Sequence, residues 1–361
     1  MPKAAVLREF GKPLVIEDFP EVHPGPGEVL VKIVAAGVCG SDLHITSGED
    51  PRTPIPMVPG HEGVGIVKEL AGPCFDVDGQ EINEGDLILW NRGVTCGKCY
   101  YCTIAKDPSL CSDRWTYGIS RSSEKPRQIR GCYAEELLLT ADTQIIKLKE
   151  DDNPAVMVAA SCSGGTAAHT IELAKIKPGD VVLIQGVGPV GLFLAAFAKA
   201  KGASEIIAIK RSPEKEPLAQ EFGVTHLLSL AETSREERVK LISDLTSGRG
   251  VDVAMEAVGH NSVLDEGLPL VRPGGAYISV GFGVPAPAWP LDTFGLIVRK
   301  NVRFQGVWVS DVSHIRQAVL LVRNNPEAFA KMVTHRFPLS EANKALQAVA
   351  DRSGIKVIIE P

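Results

Sequence analysis

The chain has 361 residues, 44% of them hydrophobic and 23% charged, with a formal net charge of -6 at pH 7. That length exceeds what one hydrophobic core supports, so two domains are expected. The acidic balance and the absence of a long basic block argue against a nucleic-acid partner, and no stretch approaches the roughly 18 consecutive apolar residues of a membrane span. The N-terminal MPKAAVLREF carries acid and base where a signal peptide is apolar, so a cytoplasmic location is expected. There the 8 cysteines stay reduced, and their clustering reads as metal binding rather than as a disulfide framework.

Up to about residue 150 the chain alternates short apolar segments, EVLVKIVAAGV at 28–38 and LILW at 87–90, with frequent Gly and Pro. This predicts a β-rich domain with long functional loops. Within it, Cys39-Gly40-Ser41-Asp42-Leu43-His44 is followed by Gly60-His61-Glu62. With Cys162 as a second sulfur, these supply two thiolates and an imidazole, which are the three ligands and one open position of a catalytic zinc. Glu62 is expected either as a fourth ligand or behind the ligands, and Asp42 is placed to orient His61 through its other ring nitrogen.

Cys96, Cys99 and Cys102, with two residues between each and the next, are followed by Cys111. Four sulfurs in one loop compose a closed tetrahedral site with no room for substrate, hence a structural zinc. Cys74 and Cys132 lie outside any cluster and read as small buried hydrophobes. Trp90, Trp115, Trp289 and Trp308 read as core or interface packing before they read as pocket walls.

After Asn153-Pro154 the texture changes to helical runs alternating with apolar strands, VVLIQG at 181–186, EIIAIK at 205–210, VDVAMEAVG at 251–259 and AYISVGF at 276–282. That alternation predicts an α/β domain with a doubly wound parallel sheet. Gly186-Val187-Gly188-Pro189-Val190-Gly191 sits between the first of these strands and the helical run LFLAAFAKAKG. Its glycines allow the tight turn and close approach of a pyrophosphate, and the helix N-terminus stabilises the charge. Where an Asp or Glu would bind the ribose 2′-hydroxyl of NAD, the chain has Lys210, Arg211 and Ser212. Cations there attract a 2′-phosphate, which predicts NADP over NAD, the competing reading being solvated loop charges. The tail from about 300 carries expected helices around Ile315 to Arg323 and at 340–351, and a final strand IKVIIE. It is expected to fold back onto the first domain, giving residues 1–153 with 300–361 as one domain and 154–299 as the other.

Together, Gly37-Val38-Cys39-Gly40-Ser41-Asp42-Leu43-His44, Pro59-Gly60-His61-Glu62-Gly63-Val64-Gly65, the four-cysteine lobe and the glycine-rich turn resemble the zinc-dependent medium-chain alcohol dehydrogenases, essentially end to end. The resemblance implies a GroES-like β-rich catalytic domain, a Rossmann cofactor domain, two zinc ions per chain and a homodimer or homotetramer. It implies Cys39, His61 and Cys162 as catalytic zinc ligands with Glu62 beside them, Ser41 as the hydroxyl that passes the alcohol proton onward and His44 as the end of that relay. The pattern departs in two places. Eight residues separate Cys102 from Cys111 where the family usually has seven, and the stretch Trp115 to Arg130 is longer and more polar than expected.

The implied activity is hydride transfer between a primary or secondary alcohol and a nicotinamide cofactor, with a secondary or cyclic alcohol favoured. The rival readings are an aldehyde or ketone reductase on the same site and a non-catalytic zinc and dinucleotide sensor. No cluster of acids or bases in the sequence marks a polyol, amino acid or phosphorylated substrate.

Overall fold

The computed structural model describes residues 1–124, 126–211 and 216–361, so Ser212 lies outside the described residues. Two compact units divide it: Met1–Gly165 with Ser310–Pro361, and Thr166–Val309.

The first unit is built on the strand Val29–Val38, buried along most of its length because neighbours cover both faces. It lies within a seven-stranded sheet in the order Ile145–Lys147, Leu87–Trp90, Glu62–Leu70, Val29–Val38, Lys356–Glu360 and Val333–Pro338, with Glu136–Leu139 also pairing Val29–Val38. The register of these ladders decides which side chains can converge. Gly37 stands opposite Glu62 in one ladder and opposite Ile358 in the other, so the ends of three strands meet at Cys39. Trp90, Tyr117 and Tyr133 are fully buried in the core beneath, and Cys132 lies there too, as a small hydrophobe. Cys74 packs against the same core, partly buried.

The second unit holds six parallel strands in the order His226–Ser229, Glu205–Lys210, Val181–Gln185, Val251–Glu256, Val271–Ser279 and Arg303–Gly306. Val181–Gln185 and Val251–Glu256 are buried at every position, as expected of parallel strands covered on both faces. The order runs outward from the first strand in both directions, the doubly wound arrangement of a dinucleotide-binding domain.

The boundaries fall later than the expected 153/154 and 299/300. Pro154–Met157 and Val158–Ser161 pack on the strands Val29–Val38 and Glu62–Leu70 of the first unit. At the other end Arg303–Gly306 pairs with Val271–Ser279, so the nucleotide sheet keeps residues assigned by texture to the tail. The tail helices are Val312–Asn324 and Ala342–Ala350, with an unpredicted helix Pro326–Met332 and strand Val333–Pro338 between them. No helix among the described residues is long and apolar enough to cross a membrane.

Candidate active site and metal centres

Cys39 follows the strand Val29–Val38 and caps the helix Gly40–Ser47. Its backbone N–H donates to Asp42 Oδ2 at 2.8 Å, closing a reciprocal cap in which the Cys39 sulfur faces the first turn. Asp42 is fully buried; Oδ2 also accepts from the Tyr133 hydroxyl at 2.9 Å, and Oδ1 lies 3.1 Å from His61 Nδ1. That leaves the other nitrogen of the ring, Nε2, 3.4 Å from the Cys162 sulfur. Donor atoms of Cys39, His61, Glu62 and Cys162 all lie within 4.8 Å of one another.

The electrostatics of this cluster suit a divalent cation. The hydrogen bond from Cys162 holds the Cys39 thiol well below the ordinary range, while the Cys162 thiol is raised by its bond to Cys39 and by burial. Burial alone would depress His61, but Asp42 and the Cys39 sulfur outweigh it and raise it to about 9. Glu62 is buried, with Oε2 on the Lys356 ammonium and Oε1 without a hydrogen-bond partner among the described residues. Ligand bonds of about 2.3 Å to sulfur and 2.1 Å to nitrogen span a separation close to the 3.4 Å between Cys162 and His61. The donor set, the spacing and the orphaned carboxylate oxygen fit zinc with Cys39, His61 and Cys162 as ligands.

Ser41 Oγ lies 3.9 Å from the Cys39 sulfur. His44, further along the helix, is half-exposed and its Nδ1 is 2.5 Å from Glu49 Oε2. No hydrogen bond joins Ser41 to His44 among the described residues.

The four-cysteine lobe is held by its own backbone. Gly97 turns the chain at φ 67°, Cys99 N–H donates to Cys96 Sγ at 3.4 Å, and Cys96 N–H donates to Cys111 Sγ at 3.3 Å. The sulfur pairs Cys99–Cys102 and Cys96–Cys111 are each 3.6 Å apart. That is far beyond the roughly 2.05 Å of a disulfide and near the edge of a tetrahedron with bonds of about 2.3 Å, so these sulfurs fit a closed zinc site.

In the second unit the strand Val181–Gln185 ends at Gly186, whose φ of 102° few other residues adopt. Gly188 caps the helix Pro189–Ala200, with Pro189 in its first turn and Val190 and Gly191 following. A Cβ on Gly191 would stand 1.9 Å from the Gly186 carbonyl, whereas one on Gly188 would meet nothing within 4 Å. The turn is therefore tight where helix meets strand and open above Gly188, as a pyrophosphate requires. At the end of Glu205–Lys210, Lys210 is buried and Arg211 exposed, so the reading of both as solvated loop charges does not describe Lys210.

The chain matches the alcohol dehydrogenase GroES-like domain over residues 25–150 and the zinc-binding dehydrogenase domain over residues 189–324. It is 32% identical to 5-exo-hydroxycamphor dehydrogenase of Pseudomonas putida, across 99% of this chain and 98% of that one. Its fold superposes on an alcohol dehydrogenase from Thermotoga maritima with a TM-score of 0.96 and 44% identity, covering 100% of this chain and 99% of the other. A zinc-binding dehydrogenase of Sinorhizobium meliloti 1021 bound to NADP superposes with a TM-score of 0.84 at 28% identity, covering 100% and 99%. The chain belongs to the zinc-dependent alcohol dehydrogenase family.

This alcohol dehydrogenase-like protein is thus an oxidoreductase with a GroES-like and a Rossmann-type domain, acting on a small molecule. The Pseudomonas and Thermotoga relatives are named dehydrogenases, which disfavours the non-catalytic sensor. Four residues around the site of the dehydrogenase carry no motif that sequence reasoning could use: Tyr133, which holds Asp42; Lys356, which holds Glu62; and Arg92 and Arg114. A lysine opening a strand whose next three residues are apolar was the available signal for Lys356. Gly37 leaves space for the pair, since a Cβ there would stand 2.0 Å from Glu62 Oε2.

Proposed function

We propose that this dehydrogenase transfers hydride between an alcohol and NADP, which it prefers to NAD, with a catalytic zinc on Cys39, His61 and Cys162 and a structural zinc on Cys96, Cys99, Cys102 and Cys111. The observation that carries the reading is the convergence of the Cys39, His61, Glu62 and Cys162 donors within 4.8 Å. When bound there, zinc supplies Lewis acidity that makes an alcohol hydroxyl easier to deprotonate.

The residues of the chain do the rest. Asp42 fixes the His61 tautomer so that Nε2 presents its lone pair inward. Ser41, beside Cys39, gives up its own proton as it accepts the alcohol's, passing it onward toward the cofactor ribose and His44, which Glu49 holds at the surface. Glu62 keeps one oxygen for the metal side and commits the other to Lys356. Lys210 and Arg211 supply positive charge for a 2′-phosphate, and a neighbour bound to NADP supports that choice. The catalytic domain comprises the GroES-like unit and the cofactor domain the Rossmann unit; the expected assembly is a homodimer or homotetramer in the cytoplasm, without nucleic-acid or membrane partners.

The test monitors the near-ultraviolet absorbance of reduced nicotinamide with a panel of primary, secondary and polyol substrates and both cofactors. Alcohol-dependent reduction of NADP faster than of NAD is expected, with Ser41→Ala lowering turnover by orders of magnitude at unchanged zinc content. Unchanged turnover in that variant removes Ser41 from the relay, and a clear preference for NAD defeats the cofactor assignment.

A further inference from the structure

Beside the cluster of Cys39, His61 and Cys162 lies Arg92, and next to Arg92 lies Arg114; neither has a carboxylate ion-paired to it among the described residues. Arg92 follows the strand Leu87–Trp90 and is only 6% exposed. Its guanidinium lies against the Cys162 sulfur and near Glu62 and Cys39, whose negative charges outweigh the depressing effect of burial and raise its pKa. Glu62 is already committed to Lys356. The Arg92 Nη1 amino group is buried and makes no hydrogen bond among the described residues.

Arg114, just before the neighbouring strand, comes up beside Arg92. Gly93–Val94 pairs antiparallel with Trp115–Thr116, Gly93 opposite Thr116, and the Arg92 carbonyl accepts from the Tyr117 N–H at 3.0 Å. The Arg114 guanidinium lies directly over Gly93, where a Cβ would meet Nη2 at 2.1 Å. Nη1 donates to Thr116 Oγ1 at 3.0 Å, but Nη2 is buried and makes no hydrogen bond among the described residues. Burial and the charges of Arg92 and Arg52 pull the Arg114 pKa down to about 9. Arg52 itself is paired, its Nη2 2.5 Å from Asp50 Oδ2.

Buried donors are nearly always satisfied, and unsatisfied ones on charged groups carry the largest penalty, so two in adjacent cations call for an explanation. Support of the Cys39 and Cys162 thiolates accounts for the charge of Arg92. It accounts for neither the free Nη1 nor Arg114. One free amino group on each guanidinium matches the two oxygens of a carboxylate, the anion whose planar geometry arginine recognises best alongside phosphate.

We propose that Arg92 and Arg114 form an anion subsite beside the catalytic cluster that receives the carboxylate of a hydroxy acid, making alcohols that carry a carboxylate the substrate class of this dehydrogenase. The proposal deepens the alcohol dehydrogenase reading and rests on it for the redox step alone. The carbinol carbon gives up hydride to the nicotinamide and the hydroxyl its proton, leaving the keto acid with its carboxylate still on the arginines.

Binding and turnover test it separately. Calorimetry on the zinc-loaded protein compares butyrate with the uncharged butyramide. Butyrate is expected to bind at least about tenfold more tightly, Arg114→Gln to abolish that margin, and Arg114→Lys to restore part of it, with zinc content and melting temperature recorded for each. Steady-state assays then compare lactate with propan-2-ol and 3-hydroxybutyrate with butan-2-ol. In at least one pair the acid is expected to show the higher kcat/KM, a ratio that collapses in Arg114→Gln chiefly through KM.

Equal binding of butyrate and butyramide overturns the subsite, as does inorganic phosphate binding more tightly than butyrate, or equal loss of both acid and alcohol turnover in Arg114→Gln. If butyrate binds as expected while no alcohol or hydroxy acid is oxidised with either cofactor, the subsite stands and the dehydrogenase reading fails.

Discussion

Asp42 and His61 form a buried pair, Oδ1 to Nδ1 at 3.1 Å, in which the carboxylate decides which ring nitrogen is left for a metal. Asp42 also receives Tyr133 and the Cys39 N–H, so it ties the helix start to the strand that opens at Glu62. Asp42→Asn keeps the volume but removes the charge. The variant should lose about 10- to 100-fold in zinc affinity at the catalytic site, measured by chelator competition, while the four-cysteine site keeps its ion.

Lys356 and Glu62 are a second buried pair, 1% and 0% exposed. Lys356→Met leaves a carboxylate unpaired in the interior and should cost about 3–5 kcal/mol in denaturant unfolding. Adding Glu62→Gln should recover most of that loss, because removing both charges costs far less than removing one. Gly37→Ala should displace Glu62 without touching either charge, and so lower activity in a protein that retains the pair's residues.

Cys99→Ser should reduce metal content by one zinc per chain, read by elemental analysis. Its melting temperature should fall, since a structural zinc contributes directly to folding. The remaining ion should reside at Cys39, His61 and Cys162.

Arg211 is exposed at the end of the strand Glu205–Lys210. Arg211→Asp should lower the NADP-to-NAD ratio of kcat/KM by about ten- to a hundredfold, the worth of one charge-assisted hydrogen bond and its replacement by repulsion. Steady-state titration of each cofactor checks this.

Glu17 accepts from Arg8 Nε and Nη2, both at 2.7 Å, and from Arg127 Nη2 at 2.9 Å. The Arg8 hydrogen bonds outweigh burial and, with Arg127, lower its pKa from 4.5 to about 2. A folded value below the unfolded one means that the stabilisation is present above pH 4.5 and is lost as pH falls toward 2. Glu17→Gln should therefore destabilise the protein by about 1 kcal/mol near neutral pH, after allowance for the solvent-exposed partners, and the difference should vanish in acid.

The four-cysteine lobe and the nucleotide turn were legible because each is local, whereas Cys162 stands 101 positions past His61 and its place with Cys39 and His61 leaned on the resemblance to the family. The cysteine lobe spans sixteen positions, 96 to 111, and the glycine turn six, 186 to 191, so spacing alone fixes geometry. The strand His226–Ser229 was not, since four residues flanked by turns carry little periodicity. Nor was Arg303–Gly306, whose alternation of intermediate and exposed residues is that of a sheet edge rather than a core. Arg92 and Arg114 were invisible for a different reason. They are 22 positions apart, and the antiparallel pairing of two-residue strands that joins them leaves no signature in composition.

The partner that completes the Glu62 site lies 294 residues downstream of it. During synthesis on a ribosome, Cys39, His61 and Cys162 emerge well before Lys356, so a nascent chain holds every zinc donor while the carboxylate among them still lacks its counter-charge. The four sulfurs from 96 to 111 have no such dependence. The metal environment of the lobe is therefore set once residue 111 has folded, whereas that of the reactive centre changes again when the segment that carries Lys356 brings a cation beside Glu62.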